Sequence, residues 1–244
     1  MRLIIDSGNT LVKIAVFDED TIVHKTELEP NTLLFANHII EEYPISSAII
    51  SDVSNMAEPV VQMLPSELPV LRMTGTTSVP IKLNYQNAET LGSDRLAAVV
   101  FASDYFPGSN VLAIQAGSCI TYDLVTANDE YMGGAISPGL EMKLKALNTF
   151  TARLPLVKKK EIDYLVGNST ENSILSGVIN GCIAEIDGMI DKYREQYRDL
   201  KVIAGGGDIF FFDKKLKNRI FATENLVLRG LNEILNFNIV NFEK

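Results

Sequence analysis

Met1-Arg2-Leu3-Ile4-Ile5-Asp6-Ser7-Gly8-Asn9-Thr10-Leu11-Val12-Lys13-Ile14-Ala15-Val16-Phe17 opens the chain, and the pattern of these residues decides the fold. The apolar run Leu3 to Ile5 ends in an acid, a short polar turn follows, and Val12 to Phe17 resume the apolar character. That is a β-hairpin with Gly8-Asn9 near its tip. Gly8 and Asn9 both tolerate φ > 0, which would turn backbone N–H groups inward at an anion. Asp6 ends the first strand, where a carboxylate can hold Mg²⁺ directly or through water. The plain alternative is an ordinary hairpin with a solvated Asp.

Working outward, Thr21–Leu28 reads as a third strand, Leu33–Glu42 as a helix, Ala48–Val53 as a strand and Glu58–Leu64 as a short helix stopped by Pro65. Val70–Thr74 is again strand-like, Gly75 to Asn84 a loop, and a helix begins near Leu91 and stops before Pro107-Gly108. The pattern then restarts: strand Val111–Ile114, small-residue turn Gly117-Ser118, strands Ile120–Val125 and Tyr131–Ile136, and a helix from Leu140 to Thr149. Leu3-Ile4-Ile5-Asp6-Ser7-Gly8-Asn9-Thr10 and Leu112-Ala113-Ile114-Gln115-Ala116-Gly117-Ser118-Cys119 share one plan: strand, polar residue, small residue, Gly, small polar residue. Two such units would carry two phosphate-binding turns. The halves are expected to be 1–109 and 110–244, joined near Gly108-Ser109-Asn110. Thr170–Tyr197 has apolar residues at helical spacing, Lys201–Ala204 is a strand entering Gly205-Gly206-Gly207-Asp208, and Leu226–Leu235 is a last amphipathic helix. The triple glycine would let backbone come close to a ligand, and Lys158-Lys159-Lys160 reads as a solvated loop.

The chain has 244 residues, 46% of them hydrophobic, enough for one or two sizeable cores, and a net charge of −9 that argues against nucleic acid or an anionic membrane as partner. No apolar run in the sequence approaches the roughly 20 residues a bilayer span needs, and Asp6 interrupts the first one, unlike a signal peptide. Cys119 and Cys182 read as reduced core residues of a cytoplasmic protein, and the two histidines, His24 and His38, stand alone. Neither a Ser/His/Asp set nor a zinc spacing can be assembled.

Leu91-Gly92-Ser93-Asp94-Arg95 falls at a helix start, where free N–H groups favour a carboxylate or phosphate. Ser93 or Asp94 acting as a helix cap explains part of this cluster. With it, a resemblance becomes specific. Asp6-Ser7-Gly8-Asn9-Thr10, Gly92-Ser93-Asp94-Arg95, Gly133-Gly134-Ala135-Ile136-Ser137-Pro138-Gly139, Thr151-Ala152-Arg153-Leu154-Pro155, Asn168-Ser169-Thr170, Gly205-Gly206-Gly207-Asp208 and Asn225-Leu226-Val227-Leu228-Arg229-Gly230-Leu231 occur in the order and spacing of type III pantothenate kinases.

The resemblance implies an α/β fold of two ribonuclease-H-like domains facing each other across a nucleotide cleft, as in the acetate and sugar kinase/Hsp70/actin superfamily. It implies ATP-dependent phosphorylation of pantothenate, the first step of coenzyme A synthesis. Asp6, Ser7, Gly8, Asn9, Thr10, Leu11, Val12 and Lys13 resemble the first phosphate-binding hairpin, holding ATP and Mg²⁺, and Ser118 takes the ATP-contacting place in the second turn. Asp94 matches the general base; Gly92, Ser93, Asp94, Arg95 and Tyr85 match residues around pantothenate. Thr170 matches one that reaches pantothenate across a homodimer interface. In one departure, Gln115-Ala116-Gly117-Ser118 stands where the family has Asp-x-Gly-Thr. Gln115 thereby removes a charge at the monovalent-cation (K⁺ or NH₄⁺) position and puts that requirement in question. The alternatives are a superfamily kinase with another small substrate and a non-catalytic nucleotide-binding regulator on the same fold.

Overall fold

A computed structural model describes residues 1–242. Its elements in chain order are β1 (Arg2–Ser7), β2 (Val12–Asp18), β3 (Thr21–Leu28), α1 (Ala36–Glu42), β4 (Ser47–Asp52), α2 (Glu58–Val61), β5 (Val70–Arg72), β6 (Lys82–Leu83) and α3 (Ser93–Tyr105). They continue with β7 (Val111–Ala116), β8 (Cys119–Val125), β9 (Glu130–Pro138), α4 (Leu140–Thr149), α5 (Thr170–Gln196), β10 (Lys201–Gly205), α6 (Ile209–Phe212), β11 (Phe221–Ala222) and α7 (Leu226–Phe242). Two compact units result among the described residues: Met1–Tyr105 with Asp129–Tyr131 and the segment from Asn225 onward, and Phe106–Asn128 with Met132–Glu224.

In the first unit the sheet order is β3-β2-β1-β4-β5. β1 is antiparallel to β2 and parallel to β4, so it is the central strand and, apart from its first residue Arg2, reads as one continuous buried run. Side chains alternate across it. Leu3 and Ile5 join Ala48, Ile50, Val12 and Ile14 in one core, while Ile4 and Asp6 take the opposite face. The β2–β3 hairpin closes through Glu19-Asp20, with Glu19 at φ 50 supplying the left-handed turn residue. α3 is Ala/Val-rich and ten of its thirteen residues are buried, which is why it shows no clear amphipathic stripe.

The second unit repeats the plan. β7 is antiparallel to β8 and parallel to β10, and β10 is parallel to β11, within the order β11-β10-β7-β8-β9. Read from β9, this is the order of the first unit, and the weak sequence repeat proves to be a topological one. α4 and α5 cover this sheet, burying Leu140, Leu144, Ile174, Leu175, Ile179, Cys182, Ile186 and Ile190. α5 is long and apolar enough to cross a membrane by length and composition; half of that window is buried inside the unit, as in a core helix.

Three expectations need correction. The Gly75–Asn84 loop contains β6, whose Lys82 and Leu83 pair with Glu130 and Tyr131 at the start of β9. The division at residue 109 does not describe the C-terminal segment, because α7 packs on α3 and β1 of the first unit. Gly230 explains the closeness: a Cβ there would lie 1.8 Å from the carbonyl oxygen of Ala97. The basic triplet is not simply solvated either. Lys159 Nζ stands 2.5 Å from Asp208 Oδ1, and the Asp208 side chain is only 8% exposed. Lys160 pairs with Glu171 at 2.7 Å.

Candidate active site

Asp6 stands at the end of β1, directly opposite Lys13 on β2 and in register with Ser51 on β4. The carboxyl is buried, and that burial pushes its pKa up from 3.8 to about 6; Lys13 pulls it down, Asp94 pushes it up, and a hydrogen bond from Ser51 pulls it down again. Asp94 is therefore close enough to Asp6 to repel it. Asp94 lies in the first turn of α3, where its Oδ1 accepts from the backbone N–H of Arg95 at 2.8 Å. Gly92 makes room for this arrangement, since a Cβ there would sit 2.6 Å from Asp94 Oδ1.

Around this pair the hydroxyls are all engaged. Ser51 Oγ and Ser93 Oγ are 2.8 Å apart, both buried. Ser7, fully buried, bonds Ser54 at 2.9 Å. Asp52 accepts from the backbone N–H of Ser54 at 3.2 Å and of Ala57 at 3.1 Å. Burial would raise the Asp52 carboxyl, yet these bonds and one from Ser7 leave it lowered. The turn itself differs from expectation. Neither Gly8 nor Asn9 has a positive φ. The Gly8 N–H is used within the turn, donating to Leu11 O at 3.1 Å. Asn9 and Thr10 are exposed, Leu11 and Lys13 half-buried, and Val12 belongs to the core. Arg95 is 7% exposed, and half-buried Tyr85 stacks on Tyr131 with centroids 5.8 Å apart.

The second unit holds the matching turn. Ser118 is exposed and Gln115 half-buried; Gly117 N–H donates to Cys119 O at 2.9 Å. Backbone closes in on this turn from two directions, each time at a glycine. Gly139, whose N–H donates to Ser118 O at 3.0 Å, would place a Cβ 2.0 Å from Gly117 O. Gly206, at φ +98, would place one 2.3 Å from Ala116 O, and the next N–H but one, Asp208, donates to that same oxygen at 3.0 Å. The Gly206 approach expected toward a ligand is thus an approach to β7, while Gly207 faces open space. Thr170 begins α5, after Ser169, which caps the helix by accepting from Asn172 N–H at 3.1 Å. Exposed Thr170 borders a largely apolar groove of about 1080 Å³ shared with Leu147, Phe150, Leu154, Ile174 and Val178. Lys143 and Glu185 line it as well. Lys143 Nζ meets Glu185 at 2.5 Å, and Tyr122 donates to Glu185 at 3.1 Å.

Ser51, Asp52 and Ser54 were not singled out from the sequence, and Lys159 and Asp208 entered only as members of the basic triplet and the triple-glycine motif, not as partners of each other. Strand alternation puts Ser51 on the same face as Ile49, and only the β1–β4 register brings that face to Asp6.

Residues 2–192 match the family model for type III pantothenate kinase. A type III pantothenate kinase of Christiangramia forsetii is 44% identical over 98% of this chain and 99% of its own. One from Bacteroides fragilis is 45% identical over 98% of each. Among solved structures, a Baf family protein from Campylobacter jejuni superposes with a TM-score of 0.59 at 20% identity, covering 98% of this chain and 99% of its own. Lmo2764 from Listeria monocytogenes does so at 0.56 and 13%, covering 97% and 99%. These two bear on the fold alone, and they agree with the paired ribonuclease-H-like units. The match over most of the length, and relatives of this identity from end to end, mean that the chain belongs to the type III pantothenate kinase family.

Proposed function

We propose that the first unit carries the chemistry and that Asp94 is its general base. The reaction is that of the family: the γ-phosphoryl group of ATP passes to the hydroxyl of pantothenate, the entry to coenzyme A. The observation that supports the assignment is the juxtaposition of two carboxylates, Asp6 and Asp94, the first pushed up mainly by its burial and further by the charge of the second. Such a pair is costly unless a cation or a proton is to be shared there. Asp6 suits a divalent cation, since a buried carboxyl whose charge is opposed by its surroundings gains most from a positive neighbour. Among the described residues no three His, Cys, Asp or Glu side chains gather around one point, so most of the ion's ligands would be phosphate oxygens and water. When bound, Mg²⁺ neutralises the charge of the β- and γ-phosphates.

Asp94 takes the proton of the attacking hydroxyl, and its 2.8 Å bond from Arg95 N–H holds the carboxylate in place for this. The Asp6 to Lys13 turn and Ser118 contact ATP. Gly92, Ser93, Arg95 and Tyr85 surround pantothenate, where the planar guanidinium of Arg95 suits the substrate carboxylate. We also place Thr170 at a homodimer interface built on α5, supported by the apolar groove beside it and by Phe150, Leu165 and Val166, which are 85%, 76% and 82% exposed. The enzyme works in the cytoplasm. The test is phosphorylation of pantothenate by parent and Asp94→Asn, with ATP affinity measured separately. The expected result is a kcat lower by about 10²- to 10⁴-fold with ATP binding kept. Near-normal turnover removes Asp94 from the role, and a parent protein that binds ATP without pantothenate-dependent turnover supports the regulator reading instead.

A further inference from the structure

We propose that Ser51 is a positioning residue that ties the Asp6 carboxylate to the first turn of α3 and thereby fixes where Asp94 stands, an inference that rests on the roles given above to Asp6 and Asp94. Ser51 ends the apolar run Ala48-Ile49-Ile50 of β4 and is 0% exposed. A hydroxyl there is unfavourable unless fully hydrogen-bonded. Two groups face it. Asp6 is its register neighbour across the parallel β1–β4 pair, on the same face of the sheet, and the Ser51 hydroxyl pulls the Asp6 pKa down. Ser93, the first residue of α3, lies 2.8 Å away, Oγ to Oγ.

The donor order follows from chemistry. A carboxylate has no proton to give, so Ser51 donates to Asp6, and Ser93 donates its own proton to the remaining lone pairs of Ser51. The chain Ser93→Ser51→Asp6 therefore runs in one direction and joins three elements: α3, β4 and β1. Asp94 follows Ser93 directly in that first turn, where the space left by Gly92 sets its side chain. Moving Ser93 moves Asp94. Ser7 serves the neighbouring position differently: its hydroxyl bonds Ser54 and has no part in the bridge to α3.

The experiment compares parent, Ser51→Ala, Ser51→Cys, Ser93→Ala and the Ser51→Ala/Ser93→Ala double variant of the full chain, with Asp94→Asn as control. Four quantities are measured: kcat, KM for pantothenate, MgADP affinity by calorimetry, and the melting temperature without ligands. Ser51→Ala is expected to lower kcat by about 10- to 100-fold, the range for losing a bond to a charged group that sets a reacting geometry. KM should change by less than about threefold, MgADP should bind more weakly, and melting should fall by several degrees, because buried Ser93 and Asp6 each lose a partner. Ser51→Cys keeps the volume with a poorer donor and should fall between the two. The double variant should be no slower than the slower single one, because both break one chain.

A Ser51→Ala enzyme within about twofold of parental kcat overturns the proposal, as do single-variant losses in kcat that multiply in the double variant. If Ser51→Ala does not fold, a folded Ser51→Cys enzyme with parental kcat overturns it. Loss of activity in Asp94→Asn without loss in Ser51→Ala defeats this inference alone. Retained activity in Asp94→Asn defeats the reading on which it rests.

Discussion

Replacing Asp6 by Asn should make the ligand-free protein more stable while it loses activity. Displacement of the Asp6 carboxyl from 3.8 to about 6, in a side chain only 9% exposed, corresponds to about 3 kcal/mol at ~1.4 kcal/mol per pH unit. The sign is set by the direction. The folded protein holds this proton more tightly than the unfolded chain, so the group costs nothing below the unfolded value. The cost grows as pH rises between the two values and is complete above the folded one. Asn carries no charge and escapes it. By linkage, about half of the penalty is present at about pH 5 and all of it at about pH 7.5, so the advantage of the variant should widen by about 1.4 kcal/mol across that interval. The assay is urea denaturation of both proteins in chelator at the two pH values, above the pI of 4.8, with MgADP-induced stabilisation measured in parallel. Parent protein should gain more from MgADP than Asp6→Asn. An Asn variant no more stable at about pH 7.5, or one whose advantage is the same at both pH values, would refute the claim that burial of this carboxylate outweighs the help of Lys13 and Ser51.

Gln115 carries no charge where the family has an acid, so activity should persist without potassium or ammonium, and Gln115→Asp should create a dependence on them. Many-fold stimulation of the parent by either ion would contradict this. Gly139→Ala should lose at least about 2 kcal/mol in denaturant titrations, since its Cβ would stand 2.0 Å from a carbonyl oxygen of the second turn. Lys159→Met leaves the Asp208 carboxylate buried without its ammonium and should cost about 1 to 3 kcal/mol, and adding Asp208→Asn should recover part of the loss. An unchanged denaturation midpoint in either single variant would count against the corresponding contact.

Local pattern carried the first hairpin and α4, whose ends at Leu140 and Thr149 fall where apolar spacing and Pro138-Gly139 put them. It carried Asp94 at a helix start for the same reason, since capping chemistry is local. What stayed hidden depends on partners far away in sequence. Lys82-Leu83 is a strand only because the start of β9 lies beside it, and α7 reveals nothing of its destination in its own periodicity. Ser51 is a serine at the end of a strand like many others until α3 brings Ser93 to it. The glycines of 205–207 announce close approach without saying to what: at Gly206 the neighbour is the protein's own backbone.

The unit that holds Asp6 and Asp94 is discontinuous, beginning at Met1 and completed by Asn225 onward. On the ribosome, its sheet emerges first and must wait with α3 uncovered while residues 106–224 are made. The second unit needs nothing downstream of Glu224 and can fold as it leaves the exit tunnel, reversing the usual order in which N-terminal units mature first. During that interval the exposed face of α3, rich in Ala and Val, is the natural target of a holdase or of a neighbouring nascent chain. Chains truncated before α7 would leave a finished second unit attached to an unfinished first one.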